Sequence, residues 1–244
     1  MNKPLGRIER ALSAERLSPY RRHGGDLRRA VDLYEWNTAA SAAIWLDIAN
    51  LEVLVRNAMH RQLTDWAKAN YGHGRWYDDP GRVLSPRHRD DVDSARQRLN
   101  RAGKRNDAGR IVAELGFGFW RYLVASQYDR ALWVPTLRTA FPGQPRRRPV
   151  HDRLTRLHHL RNRIAHHEPI YRMPLAQHLS DMLDVVEWVD PRPTELDHRP
   201  VHSSGRGRSA SQAPRQRLSG RITCPVTWRW PRLRHRLVTS HLVV

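Results

Sequence analysis

The sequence predicts an all-α fold, and two observations support this. Apolar residues recur at helical spacing through the long segments 39–63, 109–133 and 150–167. Nowhere in residues 1–190 do apolar and polar side chains alternate over the length of a good β-strand. We therefore expect helices packed around one core in this part of the chain.

The first helices are predicted from their end signals and from one strong apolar stripe. Ser18 and Pro19 are typical of a helix start, Gly24 and Gly25 should end that helix, and a second helix should begin near Asp26. The segment from about 39 to 63 is predicted to be a long, mostly buried helix. Its apolar stripe consists of Ile44, Ile48, Leu51, Val55, Ala58 and Met59.

Later helices are predicted between loops rich in Pro, Gly, Asp or Arg. Segment 109–133 is predicted to be one buried helix in which Gly116 and Gly118 let a neighbouring backbone approach closely. The other predicted elements are loops at 71–86 and 142–149, a polar helix at 87–102, and helices at about 150–167 and 174–188.

Residues 191–244 differ in composition from the rest of the chain. They are rich in Pro, Ser, Gly, Arg and His without a sustained period, which is typical of a disordered basic tail. The same mixture resembles a GC-rich gene read out of frame, and we assign no functional residue to it. The chain is thus predicted to consist of a helical domain, 1–190, and a tail, 191–244.

The charge and the single cysteine limit the class of protein. With 43 basic and 24 acidic residues the net charge is +19, which gives weak support for a nucleic acid or another polyanion as partner. Because only three of the basic residues are lysines, GC-rich codon usage accounts for part of this excess. The apolar stretch 39–59 contains Asp47, Glu52 and Arg56, and no secretory leader is visible, so we expect a soluble protein without a membrane span. One cysteine, Cys224, excludes an intrachain disulfide and fits the cytoplasm.

The stretch "LHHLRNRIAHHEPIY", residues 157–171, carries an unusual density of imidazole and guanidinium groups on a predicted helix. At about 100° per residue, two opposite faces form. Leu154, Leu157, Leu160 and Ile164 share the apolar face, and Thr155, His159, Asn162 and His166 share the other. An ordinary exposed face carries Glu and Lys, so this composition indicates proton-transfer or anion-binding chemistry.

Arg161 lies at the rim of the apolar face, and two roles suit it equally. It forms a structural ion pair with Glu52 of the long helix, or it binds a phosphate group through two parallel hydrogen bonds. A zinc site has little support, because the zinc-protease motif requires His-Glu-x-x-His and the sequence after Ala165 is His-His-Glu-Pro. No G-x-S-x-G motif is present, and we predict no metal or other cofactor.

Three segments resemble the Abi-like (abortive infection) proteins of the HEPN superfamily, which are small all-α domains. They are "LRNRIAHHEPIY" at 160–171, "ELGFGFWRYL" at 114–123, and the segment 33–63 with its Glu-Val-x-x-Arg-Asn core. The resemblance covers roughly residues 10–188 and implies a HEPN-like helical bundle. It also implies that Glu52 and Arg56, which lie in that core one helical turn apart, belong near the site.

The resemblance assigns Arg161, Asn162 and His166 to the HEPN catalytic pattern of an arginine, a polar residue and a later histidine. His167 satisfies a slightly longer spacing, and His159 lies on the same polar face. Catalytic members of the superfamily are metal-independent endoribonucleases, often toxins or phage-defence effectors, and commonly dimers. Other members only bind RNA or a protein partner. We therefore expect RNA as ligand, a homodimer facing through the histidine helices, and an antitoxin or defence-system partner.

The domain boundary near 190 leads to a first prediction. A chain that lacks residues 191–244 is expected to keep its helical circular dichroism, because the periodic apolar pattern ends near Trp188. Loss of that signal in the shortened chain would show that the predicted tail is part of the folded domain.

Overall fold

In the computed structural model, residues 3–191 are described, with side chains from Leu5 onward. All regular structure in this range is helical, which confirms the all-α class for these residues, whereas the predicted tail lies outside them except for Pro191. The α-helices are α1 (Lys3–Leu12), α2 (Ala14–Gly24), α3 (Leu27–Tyr71), α4 (Pro86–Arg101), α5 (Ala108–Glu114), α6 (Phe117–Leu123), α7 (Arg147–Ala165) and α8 (Leu175–Val189). Short 3₁₀ or π turns occupy Trp76–Asp78, Ser126–Tyr128, Asp129–Trp133 and Leu137–Ala140.

Helix α3 is the central element of this fold. Its 45 residues unite the two helices predicted to begin near Asp26 and Ala39. The Asp26 carboxylate accepts a hydrogen bond of 2.8 Å from the Arg29 N–H at the start, and Gly72, at φ 74°, ends the helix. Helices α2, α6, α7 and α8 all pack against it, so α3 connects the elements that carry the predicted site.

The expectation that α3 is mostly buried is wrong. Its predicted apolar stripe is buried as expected, but only 22% of the most apolar window of the helix is buried, and Trp45, Leu46 and Val53 are exposed. By length and composition alone this helix is apolar enough to cross a membrane, a test that core helices of soluble proteins also pass. The helix therefore has one core-facing stripe and one partly apolar outer face.

Helix α2 begins earlier than predicted. Ser13 is its N-cap, with the side-chain oxygen accepting a hydrogen bond of 3.2 Å from the Arg16 N–H, so Pro19 lies inside the helix instead of at its first position. Leu17 and Tyr20, on either side of the proline, are both buried. This packing keeps the helix continuous past Pro19, which lacks a backbone N–H donor. The predicted end at Gly24 and Gly25 is confirmed.

The prediction of a single helix over 109–133 is also wrong, because the helix is interrupted between α5 and α6. The indole of Trp120 donates a hydrogen bond of 3.0 Å to the Leu115 carbonyl, the acceptor that a continuous helix would use. Leu115 is extended and Gly116 becomes the N-cap of α6. Gly118 does face a close neighbour, but it is the imidazole of His158, whose Nε2 would lie 3.0 Å from an added Cβ.

Helix α7 packs on the core through the four residues that its periodicity predicts. Leu154, Leu157 and Leu160 are fully buried and Ile164 is 7% exposed. Helix α7 contacts α3, α6 and α8. On its predicted polar face His159 and His166 are exposed, whereas Thr155 and Asn162 are half-buried and the Thr155 hydroxyl oxygen is buried without a hydrogen-bond partner.

An ion pair joins α7 to α8 next to this core. Asp181, which is fully buried, accepts two hydrogen bonds of 2.7 Å from Arg156 and one of 3.1 Å from Gln177. Burial alone would raise the pKa of Asp181, but the hydrogen bonds from Arg156 and Gln177 outweigh it and hold the pKa below its usual value. The carboxylate is thus charged, buried and fully dependent on its partners.

Arg156→Met is expected to lower the free energy of unfolding at pH 7 by roughly 3 kcal/mol, because it leaves a buried carboxylate without its main partner. Since the folded pKa of Asp181 is lowered, the wild-type advantage is complete above about pH 4, near the unfolded pKa, and is lost as the pH falls through the folded value. Urea unfolding at pH 7 and pH 3 measures both effects.

Asp184→Asn is the matched control. Asp184 pairs with Arg153 at 3.3 Å and its side chain is 37% exposed, so the loss should stay below about 1 kcal/mol. Equal losses in the two variants would contradict a special role for the Arg156–Asp181 pair.

Candidate active site at the C-terminal end of helix α7

The last turn of α7 ends in a tight, fully hydrogen-bonded turn. His166 is the C-cap and its N–H donates to the Asn162 carbonyl at 2.9 Å. His167 is left-handed at φ 55°, its N–H donates to the Ile164 carbonyl at 3.0 Å, and the Glu168 N–H donates to the Arg163 carbonyl at 2.8 Å. The helix thus ends at Ala165, two residues before the predicted end, and both histidines are exposed.

Contacts with α2 and α3 fix this histidine turn, residues 166–168. Arg16 of α2 donates a hydrogen bond from Nη2 to the His167 carbonyl. Asn37 of α3, which is 5% exposed, accepts a hydrogen bond of 2.7 Å from the Ile170 N–H just beyond the turn. The backbone that carries the histidines is therefore held on both sides by other helices.

Arg161 faces α3, but the direct ion pair with Glu52, one of its two possible roles, is absent from the described residues, where no nitrogen–oxygen contact within 4.0 Å joins the two. Its guanidinium lies 5.3 Å from the centre of the Trp45 ring, and its Nε is buried without a hydrogen-bond partner. Burial raises the pKa of Glu52 above its usual value. The charges of Arg161 and Arg56 and a hydrogen bond from the Phe117 backbone lower it, but they do not offset the effect of burial. Arg161 thus acts on Glu52 through its charge only.

Asn162 faces a different neighbour, His158, which the sequence did not single out. The Asn162 amide nitrogen lies 3.4 Å from His158 Nε2, one helical turn back. Burial lowers the pKa of His158, and the nearby charges of Arg121 and Arg161 lower it further. The signal that marks this residue in the sequence is Gly118 on α6, whose missing side chain leaves room for the imidazole.

The remaining predicted site residues lie around this centre. His159 is exposed. Burial and the charges of Arg121 and Arg161 lower the pKa of His158 most, and the charge of His159 lowers it further. Arg56 is half-buried on α3, with its Nε 3.3 Å from Asn57 Oδ1. The structure therefore brings Glu52, Arg56 and Arg161 together at the α3–α7 contact, while the exposed His159 and His166 lie on the polar side of α7.

Two cavities flank the last turns of α7. The basic cavity, of about 260 Å³, lies at the α4–α6–α7 contact. Its lining includes Arg87, Asp91, Arg98, Glu114, Gly118, Arg121, Tyr122 and His158. The aromatic cavity, of about 720 Å³, lies between α2, α3 and the histidine turn. Its lining includes Arg16, Tyr20, Tyr34, Asn37, Trp45, Ile164 and His167.

The two central residues of the predicted site point toward different cavities. Arg161 contacts Trp45, which lines the aromatic cavity, and Asn162 contacts His158, which lines the basic cavity. The divergence follows from the 100° step between consecutive helical residues. An anion or an extended ligand that crosses the end of α7 would therefore meet a guanidinium, an amide and the exposed His166 in succession.

No protein-family model, curated protein or solved structure matches this chain. Within residues 3–191, no group of three or more His, Cys, Asp or Glu side chains has the arrangement of a metal site.

The histidine turn allows a paired test of its backbone. His167→Gly is expected to raise the free energy of unfolding by up to about 1 kcal/mol, because glycine removes the strain of a left-handed residue. His166→Gly is expected to lower it by roughly 0.5–1 kcal/mol, because His166 has φ −90° and glycine only gains freedom in the unfolded chain. Thermal and urea unfolding of the two variants should show opposite signs, and a shift of the same sign in both would contradict the turn geometry.

Proposed function

We propose that this chain is a HEPN-type, metal-independent endoribonuclease in which Arg161, Asn162 and His166 carry the reaction. The observation that carries the proposal is the placement of these residues at the end of α7, where Arg161 and Asn162 are half-buried and His166, the C-cap four residues after Asn162, is exposed. The resemblance of residues 160–171 to the Abi-like signature, and the HEPN-like helical bundle that it implies, add to this observation.

The chemistry of RNA cleavage matches this set of side chains. The 2′-hydroxyl oxygen attacks the adjacent phosphorus while a base removes its proton, and the bond from phosphorus to the 5′-oxygen breaks as an acid protonates that oxygen. The products are a 2′,3′-cyclic phosphate and a 5′-hydroxyl end. His166 transfers a proton, Arg161 stabilises the charge on the phosphorane, and Asn162 orients the phosphate or an imidazole.

The surroundings of the site offer binding groups for an RNA strand. The aromatic cavity presents the rings of Tyr34 and Trp45 next to Arg16, which is a composition suited to stacking a base. The net charge of +19 favours association with the phosphate backbone. His167, which lines the same cavity, is the alternative proton-transfer residue.

We place the second proton-transfer group of the reaction in another copy of the chain. One α7 supplies only one arginine–histidine set, and His159 and His166 on its polar face are exposed. A symmetric dimer that brings two such faces together joins two sets in one cleft, so that base and acid come from different chains. We further propose that the protein acts in the cytoplasm in phage defence or as a toxin, restrained by an antitoxin or another defence-system partner.

One observation favours a second function, RNA or partner binding without catalysis. Arg161 is engaged by the Trp45 ring and acts on Glu52 through its charge, which are contacts of a residue that supports the α3–α7 packing. In that case the chain binds RNA through its cationic surface and cleaves nothing.

Incubation of the purified protein with mixed RNAs separates the two functions. Wild type is expected to cleave RNA equally with and without EDTA and to leave 2′,3′-cyclic phosphate ends. His166→Ala is expected to lower the rate by roughly two to four orders of magnitude, because it removes the proton-transfer group. Arg161→Ala should also abolish cleavage, and its circular dichroism shows whether the loss comes from unfolding.

His73→Ala is the control for loss of a histidine, since His73 lies in the loop after α3 and outside both cavities. It should cleave as wild type does. Cleavage that disappears in EDTA would contradict the metal-independent mechanism, and RNA binding without cleavage would leave the second function. A protein that light scattering shows to be monomeric while it cleaves RNA would contradict the composite site.

A further inference from the structure

We propose that the basic cavity is a phosphate-binding site that holds a backbone phosphate of the RNA strand beside the candidate catalytic residues. The phosphate chemistry follows from the cavity itself. Only the assignment of this phosphate to an RNA strand rests on the proposed function. The site lies outside the set Arg161, Asn162 and His166 and is joined to it through His158.

Two arginines are held against one aromatic ring in this cavity. The guanidinium of Arg87, from α4, lies 5.4 Å from the centre of the Tyr122 ring, and that of Arg121, from α6, lies 5.0 Å from it. Each contact restricts a long cationic side chain, and together they hold two positive charges against the same ring at the cavity. The charges of Arg87 and Arg121 repel each other, and an anion bound beside both would offset this repulsion.

The acidic residues of the cavity do not neutralise these two arginines. Glu114 accepts hydrogen bonds of 2.9 Å at its carboxylate and its carbonyl from Arg98, and is thereby occupied. Asp91 lies one helical turn from Arg87, but within the described residues it forms no ion pair within 4.0 Å with Arg87 or Arg121. The Nε of Arg121 is buried without a hydrogen-bond partner, which is costly for a charged donor.

His158 adds a third donor and joins the cavity to the candidate active site. It enters from α7 against Gly118 of α6, where an added Cβ would lie 3.0 Å from its Nε2 and the imidazole would have to shift. Burial and the charges of Arg121, Arg161, His159 and Arg87 all lower the pKa of His158, and Arg87 and Arg121 line the cavity with it. A bound anion would offset their repulsion and favour the protonated ring, so that binding and protonation of His158 are coupled.

The geometry and chemistry suit a phosphate group. Arginine binds phosphate oxygens through a planar fork of N–H donors, and an imidazolium supplies one further donor. A tetrahedral anion has enough oxygens for Arg87, Arg121 and His158 at once. Asn162 contacts His158, and four residues after Asn162 lies His166, the C-cap of α7. A phosphate bound in the basic cavity would therefore hold the RNA strand next to the bond that is cleaved.

Inorganic phosphate is the first probe, with the full chain and the His158 ring C–H resonance as readout. Phosphate is expected to shift this resonance in a saturable way and to raise the apparent pKa of His158. Arg87→Gln, an exposed position that should not affect folding, and Arg121→Gln should each weaken phosphate binding at least tenfold. Arg138→Gln removes the same charge from an exposed arginine outside the cavity and should bind as wild type does. Absence of a saturable shift, or equal binding in all three variants, would overturn the proposal.

A 2′-O-methyl RNA of mixed sequence, which lacks the attacking hydroxyl, is the second probe. It should displace phosphate from the cavity, and the slope of log binding constant against log salt should fall by about 0.7 in Arg87→Gln relative to Arg138→Gln. If poly-glutamate displaces phosphate and this RNA does not, the cavity belongs to an acidic protein partner. If neither displaces phosphate, the cavity binds a small phosphate compound. Both results overturn RNA as the source. Since this RNA is never cleaved, failure of the nuclease proposal leaves the test of the cavity intact.

Discussion

The apolar face of α7 determines where the functional groups of this protein lie. Leu154, Leu157, Leu160 and Ile164 are buried against the core, and each is worth about 1.5–3 kcal/mol of burial, so the helix has one rotational setting. With that setting fixed, the 100° step places Arg161 at the α3 contact and Asn162 at the α6 side. The chemistry of the site is therefore a consequence of core packing that involves none of the candidate catalytic residues.

The buried faces of the helices were predictable from the sequence, whereas only some of their ends were, such as Gly24 for α2 and Asp26 for α3. Periodicity depends on which side chains leave water, and it gave the buried stripe of α3 and the buried face of α7 correctly. The ends depend on single hydrogen bonds between distant residues, such as the one from the Trp120 indole to the Leu115 carbonyl that breaks 109–133. In the same way, the start of α2 is fixed by the Ser13 cap and by the burial of residues on both sides of Pro19. The preference of proline for the first position of a helix takes no account of such burial.

The candidate site shows the same division between predictable and unpredictable features. Arg161, Asn162 and His166 were identified by type and spacing, but spacing does not tell which neighbour each one meets. An ion pair with Glu52 was one of two roles considered equally for Arg161, whereas the Trp45 ring lies over that guanidinium. His158 was missed because a histidine beside a polar stripe looks like part of it, and its role becomes visible only where α6 offers Gly118.

The cations of this protein are stabilised in two contrasting ways, and the contrast supports assigning a ligand to the basic cavity. Arg156 meets a buried carboxylate at 2.7 Å through two donors, so its charge is compensated within the fold. Arg87 and Arg121 instead lie against the face of the Tyr122 ring. Water compensates the charge of the exposed Arg87, whereas the Nε of Arg121 is buried without a hydrogen-bond partner. The Nε atoms of Arg161 and Arg163 are equally open, so what distinguishes the basic cavity is that two arginines share one ring there beside His158.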